Sequence, residues 1–133
     1  MIQEENEMSM KMRFFKCKVC GNIVASVFSS GVPIMCCGQE MEEIVPGTTD
    51  GKTEYHIPVW EQRGNKIYVT VGEEKHPMTA EHYIQWIALK TKYGNQRKEL
   101  LPESEPMACF ALCEGDEVEA VYAYCNRHGL WKW

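Results

Sequence analysis

The chain has no apolar run long enough to cross a bilayer, no excess of positive charge and, in its first third, no histidine. Each absence removes something. Without roughly 20 consecutive apolar residues there is no spanning helix to place, so no membrane partner is expected. Lysine and arginine number 14 against 19 acids, and the resulting net charge of -5 argues against a nucleic-acid partner, which would favour a basic face. The same balance is a difficulty for any anionic substrate. Residues Met1 to Met12 are acidic, polar and rich in methionine, without the apolar core of a signal peptide, and read as a disordered extension. A cytoplasmic protein is the expectation.

What is plentiful is cysteine. Seven cysteines in a chain without an export signal point to metal rather than disulfides. Cys17, Cys20, Cys36 and Cys37 fall in the first third, and His56, His76, His82 and His128 all lie beyond it. Between the groups, Val45-Pro46-Gly47-Thr48-Thr49-Asp50-Gly51 has turn chemistry. Two modules follow: a metal domain over 13–44 and a second domain over 53–133, joined by a linker over 45–52.

The first module is too short to bury a competent core and needs a metal to hold it together. Cys17-Lys18-Val19-Cys20-Gly21 is a metal knuckle: two intervening residues let both thiolates face one ion, and Gly21 permits the tight turn. Cys36-Cys37-Gly38 completes the set. Adjacent cysteines normally point in opposite directions, so both reach one ion only if the backbone twists. Four thiolates do not by themselves distinguish zinc from iron, and structural zinc is the commoner occupant.

The second module reads as β structure. Lys66 to Val71 alternates with a strand period after a Gly64-Asn65 turn. Glu117 to Tyr124 alternates too, placing Val118, Ala120, Tyr122 and Tyr124 on one side, and Met107 to Leu112 is an apolar run of strand length. His82 to Leu89 suits either a helix or a strand, and strand is preferred among such neighbours. An antiparallel sandwich of about seven strands follows. Cys109 and Cys113 read as buried strand residues, and the four tryptophans as core or site-wall aromatics.

A lone histidine is usually just packed or solvated, but the joint pattern here is stronger. His56 precedes Ile57-Pro58-Val59, His76 lies in Lys75-His76-Pro77-Met78, His82 follows six residues on, and Cys125-Asn126-Arg127-His128-Gly129 sets a thiolate and an imidazole on one turn. Four imidazoles and one thiolate favour a redox-active iron over zinc, which prefers closed four-coordinate sites. A square of imidazoles with an axial thiolate leaves one position open for a small molecule.

These motifs, in this order and from Met12 to Trp133, closely resemble those of desulfoferrodoxins. The resemblance implies a mainly β protein: a small desulforedoxin-like metal knuckle domain with four cysteine ligands, then an immunoglobulin-like antiparallel β-sandwich of the superoxide reductase (neelaredoxin-like) type. It implies two iron ions, a rubredoxin-like centre on Cys17, Cys20, Cys36 and Cys37 and a catalytic centre on His56, His76, His82, Cys125 and His128. It further implies one-electron reduction of superoxide to hydrogen peroxide, a rubredoxin-like electron donor and a homodimer. The axial thiolate of Cys125 would donate electron density to iron. Glu54 corresponds to a carboxylate that occupies the sixth position in the resting oxidised state. One position departs from the family pattern: the lysine expected just before the first histidine is Tyr55. A phenol supplies no positive charge at neutral pH, so Lys75, with Lys52 second, is the candidate replacement for attracting an anion. Two other readings carry different expectations. A non-enzymatic electron carrier or redox sensor would not react rapidly with superoxide. A zinc-stapled β-domain with structural histidines would contain no iron.

Overall fold

The computed structural model describes residues 11–49 and 51–133. The stretch expected to be a disordered extension therefore lies, up to residue 10, outside the described residues. The chain divides between Val45 and Pro46 into two units.

In the first unit, β1 (Arg13–Lys16) is the centre of a small antiparallel sheet, flanked by β2 (Ile23–Ser26) and β5 (Glu42–Ile44). A two-stranded hairpin, β3 (Met35–Cys36) with β4 (Gln39–Glu40), supplies the second pair of cysteines. The apolar burial is slight: Phe14, Cys17 and Met41 are the buried hydrophobic residues described in this unit. Val27, Phe28 and Val32 stay exposed. So few buried groups cannot offset the conformational entropy of ordering about thirty residues, and the thiolate cluster must act as the core.

The second unit is a seven-stranded antiparallel sandwich. Its strands are β6 (Pro58–Arg63), β7 (Lys66–Val71), β8 (Ile84–Thr91), β9 (Gly94–Glu99), β10 (Met107–Ala111), β11 (Val118–Cys125) and β12 (Gly129–Lys132). One sheet has the order β10-β7-β6 and the other β12-β11-β8-β9. Gly64 and Asn65 form the two-residue hairpin between β6 and β7, with Gly64 at φ +61°. The segment that suited either helix or strand is strand: Ile84, Ile87 and Leu89 of β8 are fully buried between the sheets. Ile67, Val69 and Val71 of β7 and Phe110 of β10 face them across a continuous core.

Strand β11 departs from simple alternation. Its pairing with β8 slips between Val118 and Ala120, so the extra residue reverses the phase beyond it. Val118 packs with the core alongside Val121, Ala123 and Cys125, not with Tyr122 and Tyr124 as even spacing implied. Tyr124 instead stacks on Trp86, ring centroids 5.4 Å apart. Cys113 is also not a buried strand residue: it is exposed in the turn after β10, while Cys109 is half-buried within that strand.

One end of the sandwich gathers the site. The start of β6 pairs with the end of β7, and the end of β11 pairs with the starts of both β8 and β12. A single helical turn, α1 (Thr53–His56), leads into β6 at the same end. The pairing also fixes the preceding segment. Gly47 donates its N–H to the Leu130 carbonyl (2.9 Å), and the Thr49 hydroxyl donates to the His128 carbonyl.

Candidate metal centres

In the first unit the four cysteine sulfurs converge, every pair within 4.8 Å. The Cys20–Cys36 and Cys36–Cys37 sulfur separations are 3.6 and 4.0 Å. These bracket the edge of about 3.8 Å that a tetrahedron of metal–sulfur bonds near 2.3 Å requires. Cys37 reaches the cluster from beside Cys36 because its backbone is left-handed, φ +51°, with Gly38 at φ +72° completing the twist. In the knuckle, Gly21 donates to the Cys17 carbonyl (3.0 Å) and Cys17 to the Asn22 carbonyl (2.9 Å). N–H donors turn on the sulfurs as well: the Cys20 amide on Cys17 (3.5 Å) and the Asn22 side chain on Cys36 (3.6 Å). The Cys20 amide helps pull the Cys17 thiol down to about 6, whereas its neighbours Cys20 and Cys17 push Cys37 up to about 12. Four thiolates this close cannot all ionise without a cation among them, so the donor set fits a metal.

The second group is built on the sandwich end. His56 closes α1, His76 and His82 lie between β7 and β8, Cys125 ends β11, and His128 sits in the turn to β12. The four imidazoles form a closed ring in the order His56, His76, His82, His128. Neighbouring centroids are 4.7 to 4.9 Å apart, and each pair meets edge to face at 74° to 90°. That is a square of donors.

Hydrogen bonds outside the ring set its tautomers. His56 donates Nδ1–H to the Lys52 carbonyl and His76 donates Nδ1–H to the Pro77 carbonyl, each at 2.7 Å. Both Nε2 atoms are then lone pairs, and they face each other at 3.1 Å. His128 turns Nδ1 inward, 3.0 Å from His56 Nε2 and 3.8 Å from the Cys125 sulfur. His82 Nε2 is buried without a hydrogen-bond partner. Inward lone pairs at such separations repel unless a cation sits among them, so the residues fit a metal. Burial is the largest cause that lowers the His56, His76 and His82 pKa values, taking His76 to about 4, and it favours the neutral form that those ligands need. Burial raises the Cys125 thiol, opposed by the backbone N–H groups of Arg127 and His128.

Supporting contacts hold the ring in place. The His56 ring stacks on Trp131 at 4.8 Å, and the Trp131 indole N–H donates to the His128 carbonyl at 2.9 Å. Gly51 lies so close that an added Cβ would fall 3.1 Å from the His56 ring. Asn126 bridges the two ligand segments: its side-chain oxygen accepts from the Tyr83 amide (2.9 Å), and its amide donates to the Glu81 carbonyl (3.0 Å). Sequence reasoning missed Asn126, although its place between Cys125 and His128 is a usable signal.

Over the ring lies an open depression lined by Gly51, Lys52, Tyr55, Lys75, Pro77 and the four histidines. Cys125 is not among the lining residues, so the thiolate lies on the closed side and the imidazole square faces solvent. Lys75 lines the mouth but pairs with Glu105 at 2.8 Å. Glu54 is exposed on α1, outside the lining and outside the ligand group; its carbonyl accepts the Glu74 amide at 2.9 Å.

Comparison with known proteins agrees with both groups. Residues 48–133 match the desulfoferrodoxin family model, and residues 9–44 match that of the desulfoferrodoxin N-terminal domain. A desulfoferrodoxin homolog from Archaeoglobus fulgidus is 46% identical over 94% of this chain and 98% of its own length. The desulfoferrodoxin of Nitratidesulfovibrio vulgaris is 41% identical over 94% and 98%. Among solved structures, the superoxide reductase from Treponema pallidum aligns with a TM-score of 0.78 at 37% identity, covering 92% of this chain and 98% of that one. The chain belongs to the desulfoferrodoxin family, and the two iron centres of that family correspond here to the four-thiolate group and the group of four imidazoles and one thiolate.

Proposed function

We propose that the protein is a superoxide reductase, converting superoxide to hydrogen peroxide without the oxygen-forming half of a dismutation. The observation that carries this reading is the imidazole square, open on one face and backed by a buried thiolate. Five such donors exceed the closed tetrahedron of structural zinc and leave one position for a small anion. His56, His76, His82, Cys125 and His128 would hold an iron that would supply the one electron which, with two protons, converts superoxide to hydrogen peroxide.

The chain's own residues have separate tasks. The hydrogen bonds to the Lys52 and Pro77 carbonyls hold the His56 and His76 nitrogens on target. The Cys125 thiolate donates electron density from the closed side. Solvent reaches the open depression, so water can supply the protons. Lys52 and Lys75 are the lysines at the mouth, where Tyr55 offers no charge, and Glu54 is the carboxylate proposed to cover the open position in the oxidised resting state. Glu54 would have to swing in from its exposed place on α1. A rubredoxin-like protein is the proposed electron donor, the cytoplasm the proposed compartment, and a homodimer the proposed assembly.

Pulse radiolysis of the reduced holoprotein tests the function. The expected result is rapid oxidation of one centre per chain by superoxide, with peroxide as the product. Metal analysis should find two irons per chain. Slow oxidation with both irons present would leave only an electron carrier, and zinc alone would sink both readings.

A further inference from the structure

The charged side chains lining the depression, among the described residues, are both lysines, Lys52 and Lys75. That is unusual for a chain of net charge -5. The nearby carboxylates of Glu54, Glu73, Glu74 and Glu81 all stay outside the lining. The two lysines are not equivalent. Lys75 shares its charge with Glu105 at 2.8 Å, and the pair presents almost no net charge to an approaching anion. Lys52 has no ion-pair partner among the described residues. It also sits one turn from a ligand, since its own carbonyl accepts the His56 Nδ1–H.

Resting on the superoxide-reductase reading, we propose that Lys52 is the principal anion-guiding charge of this site, and that Glu105 holds Lys75 in reserve as a second one. This division offsets the missing charge at Tyr55. A single cation at the rim of a low-dielectric depression focuses the field there even when the whole molecule is negative. Its effect should reach the open position regardless of which small anion arrives. The exposed Lys75–Glu105 pair is of the kind that contributes little to stability, so removing the carboxylate should free the lysine without disturbing the fold.

The experiment uses the iron-loaded protein and two readouts. The first is azide affinity of the oxidised form, followed by absorption. The second is the rate of reaction with superoxide across a range of salt. Lys52→Ala should weaken azide binding and slow the superoxide reaction by about three- to tenfold at low salt, and flatten the salt dependence. Lys52→Arg should recover most of both losses, whereas Lys52→Met, which keeps the apolar stem without the charge, should not. Lys75→Ala should cause a smaller loss than Lys52→Ala, and Glu105→Gln should strengthen azide binding. Lysine acetylation read by mass spectrometry should label Lys52 faster than Lys75, with Glu105→Gln removing the difference. The assignment is overturned if Lys52→Ala matches the parent in azide affinity, or if Lys75→Ala costs more than Lys52→Ala. Unchanged labelling of Lys75 in Glu105→Gln overturns the reserve role. A parent protein inert to superoxide would sink the enzymatic reading, while the azide series would still decide the role of Lys52.

Discussion

The two metal groups stand in opposite relations to the polypeptide around them. In the unit ending at Val45, Phe14 and Met41 are the buried apolar residues, among those described, besides the ligand Cys17, and the four sulfurs gather around it although Cys20 and Cys37 are exposed. In the sandwich, Ile67, Val69, Ile87, Leu89 and Phe110 are fully buried in a core that extends away from the imidazole ring. The first metal holds its fold, whereas the second fold holds its metal. This is why one chain can place a spacious, open iron site on a rigid end and still carry a closed cluster in a unit of minimal size.

The most direct way to break the contrast is to remove the metals. Chelation, or Cys17→Ser, should abolish protection from hydrogen exchange over residues 13–44 altogether, because metal binding supplies on the order of 10 kcal/mol to domains of this kind. The strands β6 to β12 should keep their slow exchange after both metals are lost. Loss of protection in the sandwich as well would refute the claim that it stands on its own core.

A core truncation tests the converse. Phe110→Ala, with the ring fully buried in β10, should cost about 3–5 kcal/mol in the sandwich. Denaturant unfolding of that unit should shift accordingly, and exchange over 13–44 should not change. Parallel loss in both units would show that the two depend on each other.

Much of this was legible in the residue order, for a physical reason. Metal ligands are specified by side-chain type and short spacing, so Cys17-x-x-Cys20, Cys36-Cys37 and Cys125-x-x-His128 announce themselves locally. The strand pattern was readable wherever alternation was clean, as in Lys66 to Val71. It failed in β11, where the bulge near Glu119 depends on a partner strand about thirty residues away. The Lys75–Glu105 pair and the Trp131 stack on His56 were invisible for the same reason: neither joins neighbours in sequence. Cys113 was misread because an apolar neighbourhood does not say where a strand stops.

The contrast sharpens at Asn126, which ties the Cys125–His128 turn to the Glu81–Tyr83 segment through two hydrogen bonds. If the fold positions the second metal, loosening this clamp should harm metal affinity before it harms the fold. Asn126→Ala should weaken iron retention by the imidazole–thiolate site about 10- to 100-fold in competition with a chelator, typical for loss of an outer-shell partner. The four-thiolate centre should retain its iron. Equal loss at both centres would mean that Asn126 acts on the chain generally.

The smallest effect belongs to a pair in the first unit that could be mistaken for a source of its stability. Arg13 on β1 grips the Glu43 carboxylate on β5 with two N–H donors, at 3.1 and 2.8 Å, and its guanidinium lies over the Phe15 ring. The guanidinium holds the Glu43 carboxyl below its ordinary value. A carboxylate depressed in the folded state stabilises above its unfolded pKa, and that stabilisation is lost as pH falls through the folded value. Both side chains are partly solvated, so a double-mutant cycle with Arg13→Ala and Glu43→Gln should give only about 0.5 kcal/mol at neutral pH. The coupling should vanish in acid. A coupling above about 2 kcal/mol would lie outside the range of exposed pairs and give this unit a source of stability besides its metal. The sulfurs would then be one support among several, and the distinction between a metal that holds its fold and a fold that holds its metal would no longer separate the two halves of the chain.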